Sequence, residues 1–156
     1  QPMTYFLRLK LEDKSGRTVS SNFYWLSAKD DSLDWEKTTW YYTPTNSYAD
    51  MTPLQNLPPV KLAVSASVLR KEGEETARVT LSNPSKSLAF FIQLQIKKKT
   101  DKTNVLPVIW QDNYFTLLPG ERKEITAAFK SKDLGGTQAM LAVDGWNVAP
   151  VEIPIR

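Results

Sequence analysis

Apolar and polar residues alternate with a period of two along most of this chain, and that rhythm excludes most folds at once. Its longest run is Leu88, Phe90, Ile92, Leu94 and Ile96, set between Phe91, Gln93 and Gln95. No stretch carries a sustained apolar stripe at the helical spacing i, i+3, i+4, i+7. The expected fold class is therefore all-β, and the Leu88–Ile96 strand is expected at the centre of a sheet. Tyr5, Leu7, Leu9 and Leu11 open a first hairpin, turned by Asp13-Lys14-Ser15-Gly16 and returned by Val19 to Leu26. The end of that return, Phe23-Tyr24-Trp25-Leu26, is aromatic enough to predict protein contact on both faces.

After Pro59 the strands come at the even spacing of a sandwich. Val60, Leu62, Val64, Ala66 and Val68 share a face, and Ala77, Val79 and Leu81 follow the turn at Arg70–Glu74. Ser82-Asn83-Pro84-Ser85 breaks the run. Pro107 interrupts Val105 to Trp110 and predicts an edge strand or a bulge, because it cannot donate to a ladder. Leu118-Pro119-Gly120-Glu121 carries the signature of a type II turn. Ile125, Ala127 and Phe129, then Ala139, Leu141 and Val143, then Val151, Ile153 and Ile155 continue the inward pattern. Seven or eight short strands over 60–156 fit an immunoglobulin-like β-sandwich.

Between hairpin and sandwich, residues 28–59 lose the alternation and form a long connector. A flexible linker is rich in Gly and Ser, whereas this one holds Trp35, Trp40, Tyr41, Tyr42, Tyr48 and Met51, so it is expected to be stapled to a neighbouring surface. Trp35, Trp40, Tyr41, Tyr42 and Tyr48 are the candidate site residues. They fit two roles, inter-domain packing and stacking on the C–H faces of a sugar ring, and the sequence leaves both open. Trp110 and Trp146 are assigned to the sandwich core or its rim, and Asp112-Asn113 to a turn.

The chain contains neither Cys nor His, so Ser-His-Asp hydrolysis, Cys-His catalysis and ordinary zinc chemistry are beyond its own residues. No metal and no cofactor is expected. Lys and Arg total 20 against 17 Asp and Glu, too even a balance for a nucleic-acid partner. Lys97-Lys98-Lys99 with Lys102 reads as a solvated hairpin tip. No apolar run is long enough to span a bilayer, and no membrane partner is expected. The acidic pairs Asp30-Asp31, Asp34 with Glu36, Glu74-Glu75 and Glu121 with Glu124 are all read as loop or turn residues, with no catalytic pair among them. The opening Gln1-Pro2-Met3-Thr4 is unlike an export signal, and Tyr5 reads as mid-strand, so a piece of a longer chain is expected.

Several stretches resemble the C-terminal immunoglobulin-like region of family two glycoside hydrolases, in the exo-β-D-glucosaminidase and β-mannosidase branch. They are Ser21-Asn22-Phe23-Tyr24-Trp25-Leu26-Ser27, Ser32-Leu33-Asp34-Trp35, Trp40-Tyr41-Tyr42-Thr43-Pro44 and Tyr48-Ala49-Asp50-Met51. Leu106 to Asn113, Leu118-Pro119-Gly120-Glu121 and Gly145-Trp146-Asn147 continue the likeness in the family's order. The resemblance implies a non-catalytic accessory module of a multidomain exo-acting β-glycosidase. On that basis 1–27 would be the last strands of a preceding sandwich, 28–59 the connector and 60–156 the final sandwich. The family's acid/base and nucleophile glutamates belong to a barrel that this sequence does not contain, so no catalytic residue is carried over. The implied partners are that barrel and the parent's other domains, with an oligosaccharide as a further partner. The implied location is secreted or periplasmic. Orphaned strands at 1–27 would also be expected to pair with a second copy of the chain.

Overall fold

The computed structural model describes residues 3–156, so Gln1 and Pro2, at the front of the segment 1–27, lie outside it. The chain divides into two compact units, Gln1–Leu57 and Pro58–Arg156.

In the first unit, β1 (Thr4–Glu12) and β2 (Thr18–Ser27) form an antiparallel hairpin with Tyr5 opposite Leu26 and Leu7 opposite Tyr24. Asp13 shapes the turn, its Oδ1 accepting from Ser15 N at 2.9 Å and Arg17 N at 3.0 Å, as an aspartate does when it substitutes for a backbone acceptor. The pleat puts Tyr5, Leu7, Leu9, Leu11, Tyr24 and Leu26 on one face and Phe6, Phe23 and Trp25 on the other. Phe6 and Phe23 stack with centroids 5.6 Å apart. The predicted cover on both faces is not supplied: Tyr5, Leu7, Leu9, Leu11, Tyr24, Trp25 and Leu26 are all exposed. A lone two-stranded hairpin of this kind is marginal by itself. The connector is not formless, for it contains β3 (Ser32–Leu33) and β4 (Thr45–Ser47), paired antiparallel, and 3₁₀ turns at Trp35–Lys37 and Thr52–Asn56.

The second unit holds β5 (Ala63–Lys71), β6 (Glu74–Ser82), β7 (Ala89–Lys98), β8 (Ile109–Trp110), β9 (Phe115–Leu117), β10 (Arg122–Lys130), β11 (Ala139–Asp144) and β12 (Val151–Pro154). They make two four-stranded sheets, in the orders β5-β6-β10-β8 and β12-β11-β7-β9. One core lies between them. Ala77, Val79, Leu81, Ile125, Ala127 and Phe129 enter it from the first sheet, and Ile92, Leu94, Ile96, Leu117, Leu141 and Val143 from the second. Each large side chain buried there contributes about 1.5–3 kcal/mol. As predicted, β7 is interior, β8 is an edge strand beyond Pro107, and Gly120 takes φ +77° with Glu121 N bonded to Leu118 O at 3.1 Å. Trp110 packs against the core, and Trp146 lies exposed at the rim.

The structure corrects two expectations. The stripe from Leu88 to Ile96 is broken by a bulge, since Ala89 faces Leu117 but Ile92 faces Phe115, leaving one extra residue on β7. Phe91 takes φ +55° there, so Ala89 rather than Phe90 joins the main core. Nearby Tyr114 takes φ +57°, and a bulky residue in the left-handed region costs about 1–3 kcal/mol. The second correction concerns the acids: Glu74 and Glu75 lie in β6 and Glu124 in β10, not in loops. Glu75 is buried opposite Arg70, whose Nε stands 3.5 Å from its Oε1.

Side-chain amides, Asn83 buried and Asn113 half-buried, tie the sandwich together where ladders stop. Asn83 Nδ2 donates to Ser87 O and Leu117 O, and Asn113 exchanges two bonds with the Leu94 backbone, accepting at 2.8 Å and donating at 3.0 Å. An unpaired peptide group in such a place would cost about as much as a lost hydrogen bond.

Candidate functional site

The five aromatics singled out in the connector lie on or beside one small hairpin. Asp34 anchors its base: Oδ1 accepts from Lys37 N at 3.2 Å, Oδ2 meets Lys37 Nζ at 2.7 Å, and the Asp34 amide donates to Pro44 O at 2.8 Å. Thr38 and Thr43 hydroxyls bond across it at 3.2 Å, and Thr39 N donates to Tyr42 O at 2.8 Å. That last bond makes Trp40 and Tyr41 the two residues of the tip. Asp31 Oδ1 accepts from Ala49 N at 2.6 Å and holds the far strand just beyond Tyr48.

This scaffold has a polar interior, so its aromatic rings point outward. Trp35, Trp40, Tyr41, Tyr42 and Tyr48 are between 57% and 94% exposed, with Trp40 the most exposed of all. Trp40 and Tyr41 meet edge to face, with centroids 4.9 Å apart and planes at 69°. Such a contact fixes two rings against each other while leaving a broad apolar face open. Trp35 opens the 3₁₀ turn, and Tyr48 follows β4. The structure thus brings Trp40 and Tyr41 together at one point and carries the other three on the same hairpin or its flank.

Most of the paired carboxylates are committed to structural partners. Asp31 and Asp34 hold the hairpin, Glu121 Oε2 accepts from Leu118 N at 2.9 Å, and Glu124 pairs with Arg78 at 3.1 Å. Asp50 accepts from Thr52 N and Thr52 Oγ1 at the entry to the second 3₁₀ turn, and the Thr52 hydroxyl first, then its amide, holds the Asp50 carboxyl below the usual range. Among the described residues no group of three or more acids is placed to hold a metal ion. Nor, among the described residues, is any helix long and apolar enough to cross a membrane.

The uncovered apolar face of β1 and β2 is the surface expected of orphaned strands. Its signal was present in the alternation itself, which supplied apolar residues on both faces of a single hairpin.

Two stacked antiparallel sheets with this strand order define the class as an immunoglobulin-like β-sandwich preceded by a hairpin and an aromatic-rich connector. The model of the exo-β-D-glucosaminidase Ig-fold domain matches residues 40–148, and the chain belongs to that family. It is 40% identical to an exo-β-D-glucosaminidase of Streptomyces avermitilis over 97% of its length, and 41% identical to one of Arthroderma benhamiae over 92%. It covers only 17% and 15% of those proteins. The crystal structure of exo-chitosanase CsxA from Amycolatopsis orientalis superposes with a TM-score of 0.90 at 37% identity, over 97% of this chain and 18% of that one.

Proposed function

We propose that this chain is a non-catalytic accessory β-sandwich module of an exo-acting β-glycosidase of the glucosaminidase type, docked against the catalytic barrel of that enzyme. The observation that carries the reading is the bare apolar surface of the first unit. Tyr5, Leu7, Leu9 and Leu11 on one face, Trp25 on the other, and Trp40 at the hairpin tip are exposed together in a chain that spans about a sixth of its relatives. Aromatic residues outside a core mark protein interfaces more than any other place. On this reading 1–27 are the last strands of a preceding sandwich, 28–59 the connector and 60–156 the final sandwich. The parent would act outside the cytoplasm, secreted or periplasmic, and the bare hairpin of the isolated chain would pair with a second copy.

Hydrogen exchange tests it. The amides of Tyr5 to Leu26 exchange rapidly in the isolated chain and slowly in the full-length glycosidase, because docking removes local opening. Equal exchange in both would overturn the docking role.

A second reading, sugar stacking by the connector, is favoured by the open face of Trp40. It predicts retention on chitosan beads that is lost in Trp40→Ala and Trp35→Ala.

A further inference from the structure

A cleft in the sandwich itself, remote in sequence from the aromatic hairpin, carries a separate inference. The edge of β7 meets three partners in turn. Ile92 faces Phe115 of β9, Leu94 is bonded by the Asn113 side chain, and Ile96 O accepts from Val105 N at 2.9 Å. Between the last two, the chain leaves this edge to pair as β8 with Ala127 and Ala128 of the opposite sheet, and then returns. The detour leaves an opening of about 250 Å³.

Its lining is neutral throughout. Gln93, Gln95 and Asn104 offer amides, Trp110 and Tyr114 offer rings, and the remainder is aliphatic apart from the Asn113 already engaged with Leu94. Tyr114 is the element that needs explaining. It and Phe91 are both aromatic residues held in the left-handed region, with ring centroids 5.3 Å apart. Two such outliers side by side persist only where the surroundings impose them, and such strain gathers at ligand clamps. Here Asn113 Oδ1 accepts the Tyr114 amide at 3.0 Å, and Gln93 Nε2 donates to the Tyr114 hydroxyl at 2.7 Å. The ring is thereby fixed at the cleft wall while half of it stays exposed.

We propose that this cleft binds one neutral sugar ring. A pyranose has an apolar C–H face and a rim of hydroxyls, and the cleft pairs aromatic faces with amides that both donate and accept. An ionised ligand would lose water without gaining a counter-charge. The opening is smaller than a drug-sized site, which limits the occupant to a single small ring. The inference is independent of whether the first unit docks.

The test is a titration of the isotopically labelled 156-residue chain, followed by amide NMR, with an N-acetylglucosamine trimer as neutral probe and a glucosamine trimer as cationic one. The neutral probe shifts the side-chain amides of Gln93, Gln95 and Asn104 saturably, with a dissociation constant on the order of 1 mM. Tyr114→Ala weakens binding about tenfold, the loss of one stacking contact. Gln95→Ala, at a side chain with no structural bond to lose, weakens it as well and covers the case in which Tyr114→Ala unfolds. Overturning results are no saturable shift at the cleft, shifts unaltered by both cleft variants, or equal response to the cationic trimer. Shifts at the cleft produced only by the parent enzyme's other domains would also overturn it, by assigning the opening to a protein side chain.

Discussion

Asn147 is 57 positions from Phe90 in sequence, yet its Oδ1 accepts the Phe90 amide at 2.8 Å. Its Nδ2 donates to Leu88 O and to Pro58 O, both at 2.7 Å. One side chain thus joins the start of the sandwich, the approach to its central strand and the turn after β11. Gly145 explains how the turn comes so close: a Cβ there would stand 3.0 Å from Phe90 O and 3.2 Å from Ile92 Cα. The Gly145-Trp146-Asn147 stretch is therefore a clamp on β7, with Trp146 N bonded to Phe90 O at 3.0 Å.

Asn147→Ala removes the side-chain acceptor of the Phe90 amide and the donor to the Leu88 and Pro58 carbonyls, and lowers the stability of the second unit by about 3 kcal/mol. Asn147→Asp keeps the acceptor for Phe90 N but lacks both donors, and is also destabilising. Urea unfolding midpoints check both, and a midpoint unchanged in Asn147→Ala would contradict the clamp.

Arg70 and Glu75 face each other across β5 and β6, with Glu75 buried and Arg70 mostly exposed. One Glu75 oxygen, Oε2, lacks a partner among the described residues. Arg70→Met strips the ion-pair partner from a buried carboxylate and destabilises by about 1–3 kcal/mol, discounted from a fully buried pair because the arginine is exposed. Adding Glu75→Leu recovers the loss. A thermal melt of the single and double variants measures the difference.

Glu152 is held below its ordinary range, chiefly by its hydrogen bond to Lys102 Nζ at 2.7 Å and secondarily by Lys97 Nζ at 3.4 Å. A depressed carboxylate stabilises the fold above its unfolded pKa, and that contribution is lost as pH falls through the folded value. The ties between β12, β7 and the Lys102 turn therefore weaken in acid. Glu152→Gln removes this part of the acid sensitivity, read as a smaller drop in melting temperature between neutral and acidic buffer. The effect is small and salt-dependent because the pair is exposed.

The isolated chain associates in proportion to its concentration, because the β1–β2 hairpin leaves Leu7 and Leu9 uncovered on one face. Leu7→Lys with Leu9→Lys abolishes the association without altering the melt of the second unit. Sedimentation at rising concentration reads this directly, and a strict monomer at all concentrations contradicts it.

Much of the sandwich was legible because its signals are local. Pro107 marked an edge, Pro119-Gly120 marked a turn, and alternation placed Val79, Leu94, Ala127 and Leu141 in the core. What escaped was non-local. The bulge at Phe91 inserts a residue without breaking the apolar run, so periodicity carried Phe90 into a stripe that Ala89 actually begins. Asn83 read as a break and Asn113 as a turn residue, because Leu117 O and the Leu94 backbone that they satisfy lie far away in sequence. Glu75 read as a turn acid because the strand begins one residue before it. The aromatic hairpin was visible as composition, but its form depends on Asp31 accepting from the distant Ala49 amide and on the Asp34 amide donating to Pro44 O, which no spacing rule announces.

Whether this chain does chemistry by itself decides its role. The direct measurement is release of nitrophenol from p-nitrophenyl β-D-glucosaminide by the purified 156-residue chain, at the concentration where the full-length glycosidase is assayed. The predicted result is a rate equal to buffer. Turnover that survives repurification and is abolished by replacing an acid of this chain would contradict it.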